Sequence, residues 1–441
     1  MRNTPVNAEV VKSKIGESGL TDLSGASIRE IVRLVNHIEE EAGVKFVRME
    51  MGVPGLPPPA IGTEAEIEAL RSGVAAVYPN IEGIKPLKEE TSRFVKLFLD
   101  IDIKAEGCIP TVGSMMGAMV SFLVANRNDK TKEGTLFIDP GFPVQKQQVK
   151  MLGHSYHSFD VYNYRGKKLR AKLESLLSTG KISSILYSNP NNPSWICFNE
   201  EELSVIGELS TKYDVIAIED LAYFGMDFRK DYSKPGEAPF QPTIARYTDD
   251  YILLISSSKI FSYAGQRIGM IAVSDHLFAR EYPDLLRYYS SSTFGRSLVY
   301  GALYGLSSGV THSAQFGLAA LMKAVNDGVY MYRDDVKEYG EKAFLMKKIF
   351  LSKGFKIVYD TDLDEPLADG FYFTISYPGL SGNQLIEELL YYGVSMISLA
   401  LAGSERTEGL RACVSLVPRE QFGDLETRLK RFNEDHPIKK T

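Results

Sequence analysis

Four places along the 441-residue chain put reactive residue types directly after a short apolar run. Ser183–Ser188 leads into Asn189–Pro190–Asn191–Asn192–Pro193–Ser194. Val215–Glu219 leads into Asp220–Leu221–Ala222–Tyr223, and Tyr251–Ile255 leads into Ser256–Ser257–Ser258–Lys259. Gly107–Val112 leads into Gly113–Ser114–Met115 and then a helical stretch. Together these ends offer a carboxylate, a phenol, hydroxyls and an amine. At Gly113–Met115 a loop enters a helix, where free backbone amides and the helix dipole suit an anion. Taken singly, each run also reads as a turn, a helix cap or a solvated charge. As strand ends they carry more, because ligands of open α/β sheets bind outside the carboxyl ends of the strands.

The elements that must hold these residues follow from the apolar spacing. Strands are predicted over Thr135–Asp139, Ser183–Ser188, Val215–Glu219, Tyr251–Ser256 and Ile268–Val273. Helices are predicted over Pro86–Leu99, Ser114–Ala125, Phe142–Leu152 and Glu200–Tyr213. Alternation of this kind gives a largely parallel sheet between helices. A long helical stretch follows over His312–Lys353. The tail places apolar pieces, Phe371–Ser376 and Leu410–Ser415, around a helix near Gly382–Tyr392, as in a smaller α+β domain. The N-terminal part is expected to be an arm and then a helix. A capping box, Ser27 to Glu30, opens that helix, and Ile31, Leu34, Val35 and Ile38 recur along one face of it. The run Gly52–Val53–Pro54–Gly55–Leu56–Pro57–Pro58–Pro59 can be neither helix nor central strand and is a loop. The expected organisation is α/β, with a large domain over 49–305 and a small discontinuous domain made of 1–48 with 306–441.

Composition narrows the partners. The net charge is −6 and hydrophobic residues make up 44%, which suits a soluble globular chain and excludes global disorder. No dense basic run tracks a phosphate backbone, so nucleic acid is not the main partner. No apolar stretch reaches the ~18–20 residues that cross a bilayer, and the first residues lack the apolar segment of a secretory signal. Cys108, Cys197 and Cys413 lie far apart and fit no motif. They point to a reducing, cytoplasmic setting and away from disulfides or zinc. Six histidines give no metal cluster, so no metal is expected.

In their order the four runs resemble the pyridoxal-phosphate aminotransferases of class I/II, in the fold-type I (aspartate aminotransferase) superfamily. The likeness extends from Gly52–Val53–Pro54 to Arg411. It is most specific in Asn189–Pro190–Asn191–Asn192–Pro193, in Asp220–Leu221–Ala222–Tyr223, and in Ser256–Ser257–Ser258–Lys259 followed by Gly265–Gln266–Arg267–Ile268–Gly269. The resemblance implies pyridoxal 5'-phosphate as cofactor, joined to Lys259 as a Schiff base. It implies amino transfer between an amino acid and a 2-oxo acid by way of pyridoxamine phosphate. A lysine suits that role because it sheds its charge when desolvated, which arginine does not. By the same resemblance Asp220 pairs with the pyridine nitrogen and keeps the ring an electron sink, and Asn192 and Tyr223 hydrogen-bond the phenolic oxygen. The catalytic set it implies is Lys259, Asp220 and Tyr223. Gly113, Ser114, Met115, Ser256 and Arg267 hold the phosphate, joined by Tyr78 from the other subunit of a homodimer. Phe142 stacks on the ring. Arg411 grips the substrate α-carboxylate, with Gly52 and Asn192 beside it.

A β-elimination lyase of the C–S lyase type would use the same lysine and ring, and the sequence does not separate the two enzymes. A pyridoxal-phosphate-binding transcription regulator would need a DNA-binding segment, for which the part before the sheet is too short and too little basic. Two positions depart from the family pattern. Ser194–Trp195 stands in place of the usual Thr-Gly. A positive φ there would strain a tryptophan; otherwise the turn differs, or Trp195 packs over the mouth of the site. Met115–Met116 stands where polar residues are common, so Met115 offers only its amide. The substrate side chain stays open: Arg29, Arg287 and Arg296 could each supply a second cation, and each also reads as structural.

Overall fold

The computed structural model describes residues 4–438. The chain divides into two compact units. The larger comprises Leu56–Asn191 and Cys197–Val336; the smaller comprises Met1–Gly55, Asn192–Ile196 and Lys337–Thr441.

The larger unit is built on seven strands: β1 (Cys108–Thr111), β2 (Gly134–Asp139), β3 (Ser155–Asp160), β4 (Ile182–Ser188), β5 (Ile216–Leu221), β6 (Tyr251–Ser256) and β7 (Gly269–Val273). Their order in the sheet is β1-β7-β6-β5-β4-β2-β3. Strand β7 is antiparallel to both neighbours, and every other pair is parallel. Strands β4, β5 and β6 are buried on both faces along their whole length. That is why none of them alternates apolar with exposed polar positions; even the serines of β4 and Glu219 of β5 are buried.

Topology then decides where the reactive residues lie. Strands β1 to β6 all run the same way, so their carboxyl ends share one edge, and the antiparallel β7 begins there. Thr111 lies opposite Gly269, Gly269 opposite Ser256, and Ser188 opposite Asp220. Two helices start at this edge, α1 (Gly113–Ala125) after β1 and α2 (Pro143–Met151) after β2. Helix α1 is apolar nearly all round, and Ala118, Val120 and Phe122 join Leu254 and Ile271 in one buried cluster.

The smaller unit holds an antiparallel sheet of β8 (Lys356–Ile357), β9 (Tyr372–Ser376), β10 (Ile397–Ser398) and β11 (Leu410–Cys413), in the order β10-β11-β9-β8. Val47–Arg48 pairs in parallel with Val394–Ser395. The helix Ile28–Ala42 buries Ile31, Leu34, Val35 and Ile38, and both hydrogen bonds of its Ser27–Glu30 capping box are made.

Three element readings need correction. The N-terminal arm contains a helix, Ala8–Ser18, capped by Asn7; only Val11 of it is buried, so it lacks the apolar stripe that marks a helix in sequence. Strand β3 was not foreseen because Ser155, His157 and Ser158 are exposed polar positions at the sheet edge. The stretch His312–Lys353 is two helices, His312–Asn326 and Tyr332–Ser352. Gly328, at φ 68°, breaks it, as glycine does just past a helix end. The strand predicted over Tyr251–Ser256 is found with those bounds, and Lys259 follows it on a single helical turn, Ser257–Ile260.

Leu254 is fully buried at the centre of the larger unit's core. Leu254→Ala is expected to lower the unfolding free energy by about 2–5 kcal/mol, as read from urea denaturation. A loss under about 1 kcal/mol would show that the core is not packed as described.

Candidate active site

At the carboxyl edge of the large sheet, helix α1 starts with no side-chain cap among the described residues. Its first N–H groups have no partner within the helix. Gly113 has a φ of 69°, and a Cβ built on it would lie 2.6 Å from Nη2 of Arg267. Only a glycine therefore lets that guanidinium rest against the helix start. Arg267 is itself in the left-handed region at φ 50°, and its Nη1 donates to the carbonyl of Ala264 at 2.9 Å. A Cβ on Gly269 would stand 3.1 Å from the amide nitrogen of Ser114. At the end of β6, the Ser256 hydroxyl accepts from the amide of Ser258 at 3.2 Å. It thereby caps the turn that carries Lys259, which is half-buried. A helix start, a guanidinium and a hydroxyl gathered in this way suit an anion such as a phosphate.

Asp220, the penultimate residue of β5, is buried at the same edge. Its Oδ2 accepts from Nε2 of Gln145 at 2.8 Å, and its Oδ1 from the amide of Ala222 at 3.1 Å. Burial raises its carboxyl to about 6, against the downward pull of those two hydrogen bonds. Gln145 was not singled out from the sequence. It lies on α2, whose N-cap is the half-buried Phe142, and one turn on Gln148 donates to the carbonyl of Met115 at 2.9 Å. One helix therefore ties the carboxylate to the start of α1. Glu219 was missed as well. It is fully buried and receives Thr243 Oγ1 at 2.6 Å, the Ile244 amide at 3.2 Å and the Tyr187 hydroxyl at 3.2 Å. Burial pushes it up to about 7. Tyr223 is buried two residues beyond β5.

The smaller unit brings together Asn192, Gly52 and Arg411. Arg411, on β11, is only 3% exposed. Its Nη2 donates to the carbonyl of Glu50 at 2.7 Å and its Nη1 to Oδ1 of Asn192 at 3.3 Å. Its guanidinium lies 4.4 Å above the ring of Tyr372. Its Nε is buried and has no hydrogen-bond partner among the described residues. A buried cation with an N–H left over is costly, and a carboxylate is the partner its planar fork matches. The Glu50 carboxylate is engaged elsewhere, by Arg48 at 2.6 Å and Ser395 at 2.5 Å.

Trp195 resolves one open reading. Its φ is 65°, so this turn does need the left-handed backbone. The side chain is fully buried and does not cover an opening. Tyr78 is 90% exposed and is no core tyrosine. Met115 is 40% exposed. Among the three candidate cations, Arg287 donates to the carbonyls of Asp284 and Arg127, Arg296 lies over the ring of Tyr300, and Arg29 stands beside the Met51 sulfur at 3.9 Å.

Residues 46–425 match the family model described as aminotransferase class I and II. The chain belongs to that family. This aminotransferase is an enzyme that transfers amino groups, and its family works with pyridoxal phosphate. It is 25% identical over 353 residues to a probable aspartate aminotransferase of Methanocaldococcus jannaschii, covering 75% of this chain and 88% of that one. It is 27% identical over 240 residues to the LL-diaminopimelate aminotransferase of Natranaerobius thermophilus, covering 53% and 58%. An alanine aminotransferase from Pyrococcus furiosus superposes with a TM-score of 0.75 at 18% identity, over 95% of this chain and 99% of that one. An aspartate aminotransferase from Thermotoga maritima gives 0.74 at 18% identity, over 96% and 99%. These structures share the expected α/β fold. No helix among the described residues is long and apolar enough to cross a membrane.

The raised carboxyl of this aminotransferase has a consequence for stability. Asp220 binds its proton more tightly folded, at about 6, than at its ordinary value of 3.8. Its contribution is therefore present at low pH and is lost as pH rises through about 6. With no cofactor added, the stability of wild type relative to the Asp220→Asn variant is expected to fall by about 3 kcal/mol between pH 3.5 and pH 7.5. Urea unfolding of both proteins measures it, and a difference that stays flat over that range would mean the carboxylate is not desolvated.

Proposed function

We propose that this aminotransferase moves an amino group between an α-amino acid and a 2-oxo acid, with pyridoxal 5'-phosphate held on Lys259. The observation that carries the reading is the carboxyl edge of the large sheet. It gathers an uncapped helix start, a guanidinium lodged against Gly113, a buried carboxylate without a counter-charge and a lysine on a capped turn. These groups fit the cofactor. Gly113, Ser114 and Met115 would hold its phosphate by their amides, together with Ser256 and Arg267. Phe142 would lie on the ring face, and Asn192 and Tyr223 would meet the phenolic oxygen.

When bound, the cofactor supplies an electron-withdrawing ring that stabilises negative charge at the substrate α-carbon. The protein's own part is positioning and proton handling. Asp220, already desolvated, would have its carboxyl drawn back down by the positive charge of the ring nitrogen and would hold that charge in turn. Lys259 Nζ, once neutral, takes the proton from the substrate Cα. Arg411 fixes the α-carboxylate through a bidentate pair, with Gly52 and Asn192 beside it, and orients the Cα–H bond.

Further parts of the reading concern organisation. The cofactor domain, proposed at 49–305, extends to Val336 in the compact units, and the smaller domain, proposed at 1–48 with 306–441, resumes only at Lys337. The exposed Tyr78, beside exposed Val77, supports a homodimer in which Tyr78 reaches the partner's phosphate. Cys108, a buried free thiol, supports a cytoplasmic setting.

Borohydride reduction of the cofactor-loaded protein, followed by peptide mapping, is expected to place the label on Lys259; a label elsewhere, or none, refutes the assignment. Lys259→Ala is expected to cut turnover by roughly a thousand-fold or more. Arg411→Ala is expected to lower kcat/KM for amino acids by about 10- to 100-fold, as steady-state assays against several 2-oxo acids measure. Unchanged kcat/KM would remove Arg411 from the carboxylate site.

A further inference from the structure

We propose that Trp195 is a positioning residue for Arg411, acting through the ring of Tyr372. This rests on the reading of Arg411 as the group that holds the substrate α-carboxylate.

Trp195 is the only tryptophan of the chain. It occupies a left-handed backbone position, φ 65°, with its indole fully buried. That conformation strains any residue with a Cβ, and a glycine would adopt it freely. What the position gains from tryptophan is therefore the side chain. The segment just before β9 is shaped to receive it. A Cβ built on Gly370 would lie 2.0 Å from Cε2, 2.2 Å from Cζ2 and 2.2 Å from Nε1 of the indole. Gly370 is not among the glycines with positive φ, so its missing side chain serves space rather than backbone freedom.

Two residues along, Tyr372 meets the indole edge to face. The ring centroids are 6.1 Å apart and the planes 70° apart. Tyr372 also touches the carboxylate-binding groups. Its ring carries the Arg411 guanidinium at 4.4 Å, from a register in which Arg411 faces Thr374 and is thus its diagonal neighbour. Its hydroxyl lies where a Cβ on Gly52 would be, 2.0 Å away. The segment Asn192–Ile196 also supplies Asn192, whose Oδ1 receives Arg411 Nη1 at 3.3 Å. The indole therefore anchors both the ring beneath the guanidinium and the segment that supplies Asn192. With the two Nη atoms and the ring face held, the Nε edge stays directed for a carboxylate.

The test compares the holoenzyme with Trp195→Gly, Trp195→Phe and Arg411→Ala variants. The substrates are an amino acid and the corresponding amine that lacks the α-carboxylate. Trp195→Gly is expected to raise KM for the amino acid roughly ten-fold, with kcat and the single-turnover rate on the amine within about two-fold of wild type. Trp195→Phe is expected to restore most of the KM. Equal losses on amino acid and amine, or an unchanged KM in Trp195→Gly, overturn the proposal. If Arg411→Ala itself leaves the preference for the amino acid intact, it is the reading of Arg411 that fails. A second readout needs no variant that could misfold. As the sole tryptophan, Trp195 is expected to change its emission when wild type is titrated with maleate, an amine-free carboxylate, in step with inhibition. Inhibition without any change in emission also overturns the proposal.

Discussion

A carboxylate kept dry at the end of a central strand organises the larger unit. Asp220 sits at the carboxyl edge with burial opposing its charge, and the two hydrogen bonds it accepts offset only part of that cost. One of them comes from Gln145, so the orientation of the carboxylate depends on helix α2. The same helix places Gln148 on the carbonyl of Met115 and pairs Lys146 with Asp139 at the end of β2. Moving α2 would therefore disturb two strand ends and the start of α1 at once. The arrangement works only because β1 to β6 run in one direction. A sheet with alternating strands would send half of these ends to the opposite edge.

The parts of this design legible in the sequence are those in which chemistry and strand adjoin in the chain. Asp220, Ser256 and Lys259 follow continuous apolar runs, and the burial of β4, β5 and β6 on both faces makes those runs unmistakable. Strand β3 escaped because a half-wet edge strand has no such run. Gln145 escaped because its partner is 75 residues away, and nothing local to a glutamine shows what it will meet. The unpartnered Nε of Arg411 is likewise a property of packing; the sequence shows an arginine on a strand, never the hydrogen bonds it lacks. Trp195 was half legible. The conflict between a bulky residue and a turn that favours glycine could be seen, and only the fold shows that the turn kept its φ and the side chain went inward.

Each of the two units spends backbone freedom on holding a flat cation. In the larger unit, Gly113 omits a Cβ so that Arg267 can reach the start of α1, and Arg267 adopts a left-handed φ to arrive there. In the smaller unit, Gly52 yields space to Tyr372, Gly370 yields space to Trp195, and Trp195 takes the left-handed φ. Strain of this kind persists only where the surroundings over-determine it. In both units those surroundings consist of a planar group packed against bare backbone.

The contrast with Lys259 is chemical. A guanidinium stays charged under all relevant conditions and presents a fixed fork, so it can be clamped from several sides, as Arg411 is by Glu50, Asn192 and Tyr372. An amine that must lose its charge and move a proton cannot be so confined. The chain gives it a rigid base, a single turn capped by Ser256. Arginine thus stands where charge has to remain, and lysine where charge has to leave. On the proposed reading that division separates binding from proton transfer, and it explains why exchanging the two residue types would fail at either place.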